Sequence, residues 1–159
     1  MKNINKGFIL LLFPFLLARN KVSIVNFEQL QNYAAKKLND TLYVVNFWAT
    51  WCDPCVKELP AFQQEYKKYA KRKVKFIFVS MNSQKELGKV QNFTDTQKLE
   101  GMLLLLNGGN PNDWIDKVDS TWSGSIPATA MYKSGKKVYF REGEFTPESL
   151  DKVIQSKNK

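Results

Sequence analysis

The 159-residue sequence contains no histidine and only two cysteines. Lacking histidine, the chain is without the usual metal ligand, the usual general base near neutral pH and the usual haem ligand. No G-x-G-x-x-G run is present to bind a dinucleotide, and no cofactor is expected. Beyond residue 20 there is no internal repeat, low-complexity tract or linker, so residues 21–156 read as one domain, long enough to bury a core. Hydrophobic residues at 43% and aromatics at 13% exclude a disordered chain. The formal charge is +9, yet no basic stretch is interleaved with stacking aromatics, which excludes nucleic acid as a partner. Lys67-Lys68 and Lys71-Arg72-Lys73 read as the solvated basic end of a helix, with an acidic partner as the alternative.

Long apolar runs are scarce, and the one at the start is short. Lys2 and Lys6 precede "GFILLLFPFLLA" (7–18), which is followed by Arg19. As a helix these residues would span roughly 18 Å, less than a bilayer core of about 30 Å, and Pro14 interrupts them. Residues 1–18 therefore read as a secretory signal peptide or a short membrane anchor. A signal peptide would be cleaved after Ala18, although Leu16 is not the small residue preferred near such sites; an uncleaved anchor holding the domain at the outer face of the membrane is the alternative. No cysteine follows to carry a lipid anchor. The expected location is periplasmic or otherwise extracytoplasmic, where a cysteine pair is oxidised unless something reduces it.

"KVSIV" (21–25) predicts a strand, and residues 26–38 a helix with Phe27, Leu30, Tyr33, Ala34 and Leu38 at helical spacing. "TLYVVNFWA" (41–49) and "VKFIFVSM" (74–81) predict strands buried on both faces. A helix is expected from Asp53 to Ala70, kinked at Pro60, and another around 85–99. "GMLLLLNGG" suggests a short strand and "NPNDWIDKVD" a short helix. Residues 126–140 predict a hairpin turning at Ser134-Gly135. Thr146, Pro147 and Glu148 start a last helix running to Gln155, with Leu150, Val153 and Ile154 inward. Strands alternating with helices imply an α/β fold with a mainly parallel sheet covered on both faces.

The cysteines lie in "NFWATWCDPC" (46–55). Structural zinc needs four ligands, which two thiols and no histidine cannot supply within one chain. A disulfide closing so short a loop constrains the unfolded chain little, which leaves a purely structural bridge poorly motivated. Redox chemistry fits the local pattern. A strand leading into a helix puts Cys52 at the helix N-terminus, where unsatisfied N–H groups and the dipole favour an anion. That interaction, about 0.3–1 kcal/mol and up to ~2 when partly buried, lowers a thiol pKa by a few tenths to about 1.5 units. Cys52 is then the exposed attacking thiolate. Cys55, one turn on, is the sheltered resolving thiol within disulfide reach.

"VVNFWATWCDPCVKELP" resembles the active-site segment of thioredoxin-like proteins, and within them the exported TlpA/ResA-type thiol-disulfide oxidoreductases. The resemblance covers nearly all of residues 21–156. It implies a thioredoxin fold: a central mixed sheet flanked by helices, a closing hairpin and a C-terminal helix. By that resemblance Ile126-Pro127 matches the cis-proline loop. The Ile126 backbone would pair with an extended substrate, and Pro127 and Trp51 would shape the surface beside Cys52. Ordinary thioredoxins carry a buried aspartate where this chain has Asn46. The TlpA/ResA type instead carries a glutamate within C-x-x-E-x-P, here Glu58 ahead of Pro60. Glu58, three residues after Cys55, is thus the expected acceptor of that thiol's proton. Residues 100–125 exceed what a minimal thioredoxin needs and read as an insertion. Its Trp114 and Trp122 are expected in its own core, with a place in the substrate groove as the alternative.

Asp53, beside Cys52, opposes thiolate formation and so weighs toward a reductant and against a disulfide-forming oxidase. The resemblance implies a membrane-embedded thiol donor upstream, and exported protein disulfides, including those of apocytochrome c, as substrates. A monomer is expected. Peroxiredoxins share the fold, but they place threonine three residues before the reactive cysteine, where this chain has Ala49. A non-catalytic thioredoxin-like binding module commonly loses one cysteine, whereas both are present here.

Overall fold

The computed structural model describes residues 20–35 and 40–159. In chain order its elements are β1 (Ser23–Val25), α1 (Phe27–Ala34), β2 (Leu42–Trp48), α2 (Asp53–Tyr69), β3 (Val74–Ser80), α3 (Leu87–Thr96), β4 (Met102–Leu106), α4 (Ile115–Val118), β5 (Ala128–Lys133), β6 (Lys136–Glu142) and α5 (Pro147–Lys157). The signal or anchor expected over residues 1–18 lies outside the described residues. Among the described residues no helix is long and apolar enough to cross a membrane.

The unbroken apolar run of β2 has one physical solution, a place inside a sheet covered on both faces. All seven of its residues are buried. Among the described residues the sheet order is β1-β4-β3-β2-β5-β6. The first four strands run parallel, while β5 is antiparallel to β2 and β6 antiparallel to β5. Strand alternation sends Leu42, Val44 and Trp48 to the face packed by Leu59 and Phe62 of α2, Val90 of α3, and Leu150 and Ile154 of α5. Tyr43, Val45 and Phe47 go to the other face, packed by Leu30 and Ala34 of α1 and by Trp114 and Val118. Asn46 has the parity of the α2 face, and that places a polar side chain under the helix carrying both cysteines.

Several expectations change in detail. The first helix opens with Asn26 as its N-cap, in a capping box with Gln29, and ends at Ala34; residues 36–39 lie outside the described residues. Tyr33, expected inward, is 38% exposed. Within the stretch read as an insertion, the short strand expected in "GMLLLLNGG" is β4, which pairs with both β1 and β3. Helix α2 continues past Pro60 and ends at Tyr69, one residue before the expected Ala70. Helix α5 continues past Gln155 to Lys157, and Val153 is only half-buried. At the hairpin turn Ser134 and Gly135 take φ of 50° and 79°. Two successive left-handed residues match the right-handed twist of the flanking strands.

Candidate active site

The site forms where β2 runs out and α2 begins. The backbone leaves β2 at Trp48, turns through Ala49, Thr50 and Trp51, and enters the helix with Cys52 as N-cap at φ −96° and ψ 96°. Pro54 lies in the first turn, where its missing N–H removes no helical bond. Cys52 and Cys55 form a disulfide with Cα atoms 5.2 Å apart. The Cys55 N–H points at Cys52 Sγ across 3.3 Å, so one of the orphan donors of the helix start is aimed at the sulfur. The loop is fixed from the side by Asn82, just past β3 and 2% exposed. Its Oδ1 accepts from the Thr50 N–H at 2.9 Å, and its Nδ2 donates to Thr50 Oγ1 at 2.8 Å. Ser80 donates to the same Oδ1. Sequence reasoning missed Asn82, and an asparagine following a strand carries no motif that announces a clamp.

Cys55 is 0% exposed and Cys52 6%. The sequence expectation of an exposed Cys52 is thereby corrected. It keeps the pair's only solvent contact, but the adjoining loops leave little of it, while Trp51 stands out at 58% exposure. The Ile126–Pro127 peptide is cis. Ile126 O lies 3.7 Å from Cys52 Sγ, so the sequence-distant proline loop does meet the cysteine motif. Pro127 is buried, and its carbonyl accepts from the Gly143 N–H at 2.8 Å. Trp122 supports the approach to this loop by donating from Nε1 to Ser125 O at 2.8 Å. Trp122 and Trp114 pack their rings together and against Phe47 and Phe27 respectively. Both are core residues, of the sheet face rather than of a separate insertion.

Glu58 follows Cys55 by three residues and is 2% exposed. Its Oε1 accepts from Asn46 Nδ2 at 2.7 Å and its Oε2 from the Phe145 N–H at 2.8 Å. Asn46 also donates to Thr129 Oγ1 at 3.3 Å. Burial pushes Glu58 up from the ordinary 4.5 to about 7, against the lowering effect of these two hydrogen bonds. The result is a carboxyl in the cysteine-bearing core that changes protonation state near neutral pH. Asp53 is exposed at the first helical position beside Cys52. Among the described residues no group of three or more Cys, His, Asp or Glu is arranged to hold a metal ion.

The chain is similar to proteins named as thiol-disulfide oxidoreductases. It is 32% identical to the thiol-disulfide oxidoreductase ResA of Bacillus cereus over 113 residues, covering 70% of this chain and 60% of that protein. It is 39% identical to ResA of Oceanobacillus iheyensis over 110 residues, covering 68% and 53%. The chain thus spans between half and two thirds of the length of these curated relatives. Its fold is similar to that of a thiol:disulfide interchange protein of the thioredoxin family from Chlorobium tepidum, with a TM-score of 0.64, 26% identity, and coverage of 80% of this chain and 85% of the other. Residues 21–141 match the AhpC/TSA family, and with the dithiol, the cis-proline loop and the mixed sheet in place the chain belongs to that family.

Proposed function

We propose that this chain is a thiol-disulfide oxidoreductase that reduces disulfides of exported proteins through the Cys52–Cys55 pair. One observation carries the reading: Cys52 caps α2 against the cis Ile126–Pro127 loop, while fully buried Cys55 lies one turn before buried Glu58. In the reduced protein the Cys52 thiolate, favoured by the Cys55 N–H and the helix dipole, attacks one sulfur of a substrate disulfide. That S–S bond breaks, a mixed disulfide forms, and the first substrate thiolate leaves. Glu58 as carboxylate takes the proton of Cys55. The resulting thiolate attacks Cys52 Sγ, the Cys52–Cys55 bond forms, and the second substrate thiolate leaves. Two electrons pass to the substrate, and an external thiol donor restores the dithiol.

Exposed Trp51 and the Ile126 backbone form the substrate surface, with Pro127 shaping it. Exposed Asp53 opposes the thiolate state of Cys52 and sets the direction toward reduction. Residues 1–18 would direct export or hold the domain at the membrane, where a membrane thiol carrier would supply electrons. The ResA names of the relatives support the oxidoreductase reading, and apocytochrome c is among the substrates to test. The experiment is single-turnover reduction of a protein disulfide by the pre-reduced chain. Cys52→Ala is expected to be inactive, and Cys55→Ala to accumulate a mixed disulfide visible by mass spectrometry. Turnover by the Cys52→Ala protein would contradict the assignment.

A further inference from the structure

A cleft of about 360 Å³ opens between α2 and the turn joining β6 to α5, lined by Lys57, Glu58, Pro60, Gln64, Glu144 and Phe145 among others. Of the residues assigned to the site, Glu58 alone lines it; neither cysteine nor Trp51, Ile126 or Pro127 does. At roughly 30 Å³ per water the cleft has room for several. Pro60, which lines the cleft, has no N–H to offer the Val56 carbonyl one turn before it. Lys57 and Glu144 form an ion pair at 3.5 Å, with side chains 78% and 42% exposed. An exposed pair of this kind is weak and opens readily.

The chemistry of the proposed reaction needs such an opening. During resolution the substrate is bonded to Cys52 Sγ beside Ile126 O, and it covers the only part of the disulfide that solvent reaches. A proton taken by Glu58 from Cys55 then has no exit on that side until product leaves. We propose that the cleft between α2 and the β6–α5 turn is the path by which Glu58 exchanges its proton with bulk water, with Lys57 and Glu144 as positioning residues at its mouth. The proton leaves Cys55 for Glu58, and then leaves Glu58 for cleft water, while the departing substrate thiolate draws its own proton from solvent.

This inference rests on the proton role given to Glu58 above. Asn46 of β2 and the Phe145 N–H of the turn donate to the Glu58 carboxyl, Arg141 of β6 and Glu144 of the turn act on its charge, and Lys57 of α2 shares the cleft lining with it. Lys57 and Glu144 are the charged pair among them that an experiment can alter without touching the hydrogen bonds of the carboxyl.

The test follows formation of the reduced peptide, by rapid acid quench and chromatography, through single-turnover reduction of a peptide disulfide from pH 5.5 to 9, in light and heavy water. Iodoacetamide alkylation of Cys52 serves as the control. Gln64→Trp, at an exposed position lining the cleft, should slow resolution several-fold and enlarge its solvent isotope effect, with alkylation of Cys52 unchanged. Glu144→Gln should move the pH midpoint of resolution down, and Lys57→Met should move it up. Native resolution rates and pH midpoints in all three variants would overturn the proposal, as would equal slowing of Cys52 alkylation. Glu58→Gln separates the two readings. If its resolution matches the native pH profile, the proton role of Glu58 fails; if only Glu58→Gln alters resolution, the role stands and the path is wrong.

Discussion

Asn46 donates to Glu58 across 2.7 Å in a part of the core where each side chain is at most 2% exposed. Asn46 Oδ1 has no hydrogen-bond partner among the described residues, although it is buried. A carboxamide can offer its N–H to a carboxylate and, by turning over, its oxygen to a protonated carboxyl. Asparagine therefore serves both protonation states of Glu58, whereas a carboxylate at this position would add a second buried charge.

Stability should fall as pH rises through the titration of Glu58. Its folded value of about 7 lies above the ordinary 4.5, so between these values the folded chain holds a proton that the unfolded chain has released. The penalty grows from pH 4.5 to pH 7 and is level above that, reaching up to about 3 kcal/mol. Glu65, raised chiefly by burial, acts in the same direction. Urea unfolding of the oxidised protein at pH 5 and pH 8 is expected to show this loss, and Glu58→Gln should remove most of it, leaving the part due to Glu65. An undiminished difference in Glu58→Gln would contradict the assignment.

Asn82→Ala should cost about 1–3 kcal/mol, because the Thr50 N–H loses its acceptor. The same change frees the loop ahead of Cys52. Denaturant unfolding checks the first effect, and slower attack on a disulfide at unchanged pH dependence checks the second. A stability loss with native attack rates would make Asn82 purely structural.

Much of this arrangement was legible in the sequence because its signals are local. The run Leu42–Trp48, the cysteine spacing, the Thr146-Pro147 cap and the Ser134-Gly135 turn each declare themselves within a few residues. What escaped depends on residues far apart in sequence. β4 joins the sheet by pairing with β1 and β3, and nothing in "MLLLL" names those partners. Asn82 meets Thr50 across 32 positions, and Phe145 meets Glu58 across 87. The low exposure of Cys52 likewise arises where the Ile126 loop closes on it. Glu58 itself could be read from its spacing to Cys55, but the partners that hold it could not.

Trp122 links the core to the proline loop, with its ring centroid 4.7 Å from that of Phe47 and its Nε1 on Ser125 O. Trp122→Ala should cost about 3–5 kcal/mol through the cavity it leaves. Trp122→Phe keeps most of the packing, loses the hydrogen bond, and should cost nearer 1 kcal/mol. Calorimetric unfolding distinguishes the two, and equal losses would show that the hydrogen bond carries the effect.

Replacing Asp53 by histidine should favour the Cys52 thiolate and raise the reduction potential. Equilibration of the variant with glutathione buffers reads this directly, and an unchanged or lower value would sink the electrostatic argument for direction.

The central claim is that the Cys52–Cys55 pair works as a reductant. Its most direct test is the reduction potential of the native pair, measured by equilibration against dithiothreitol and glutathione. The account predicts a value near or below about −230 mV, toward the thioredoxin end of the scale. A value near roughly −120 mV, that of a strong oxidant, would contradict it.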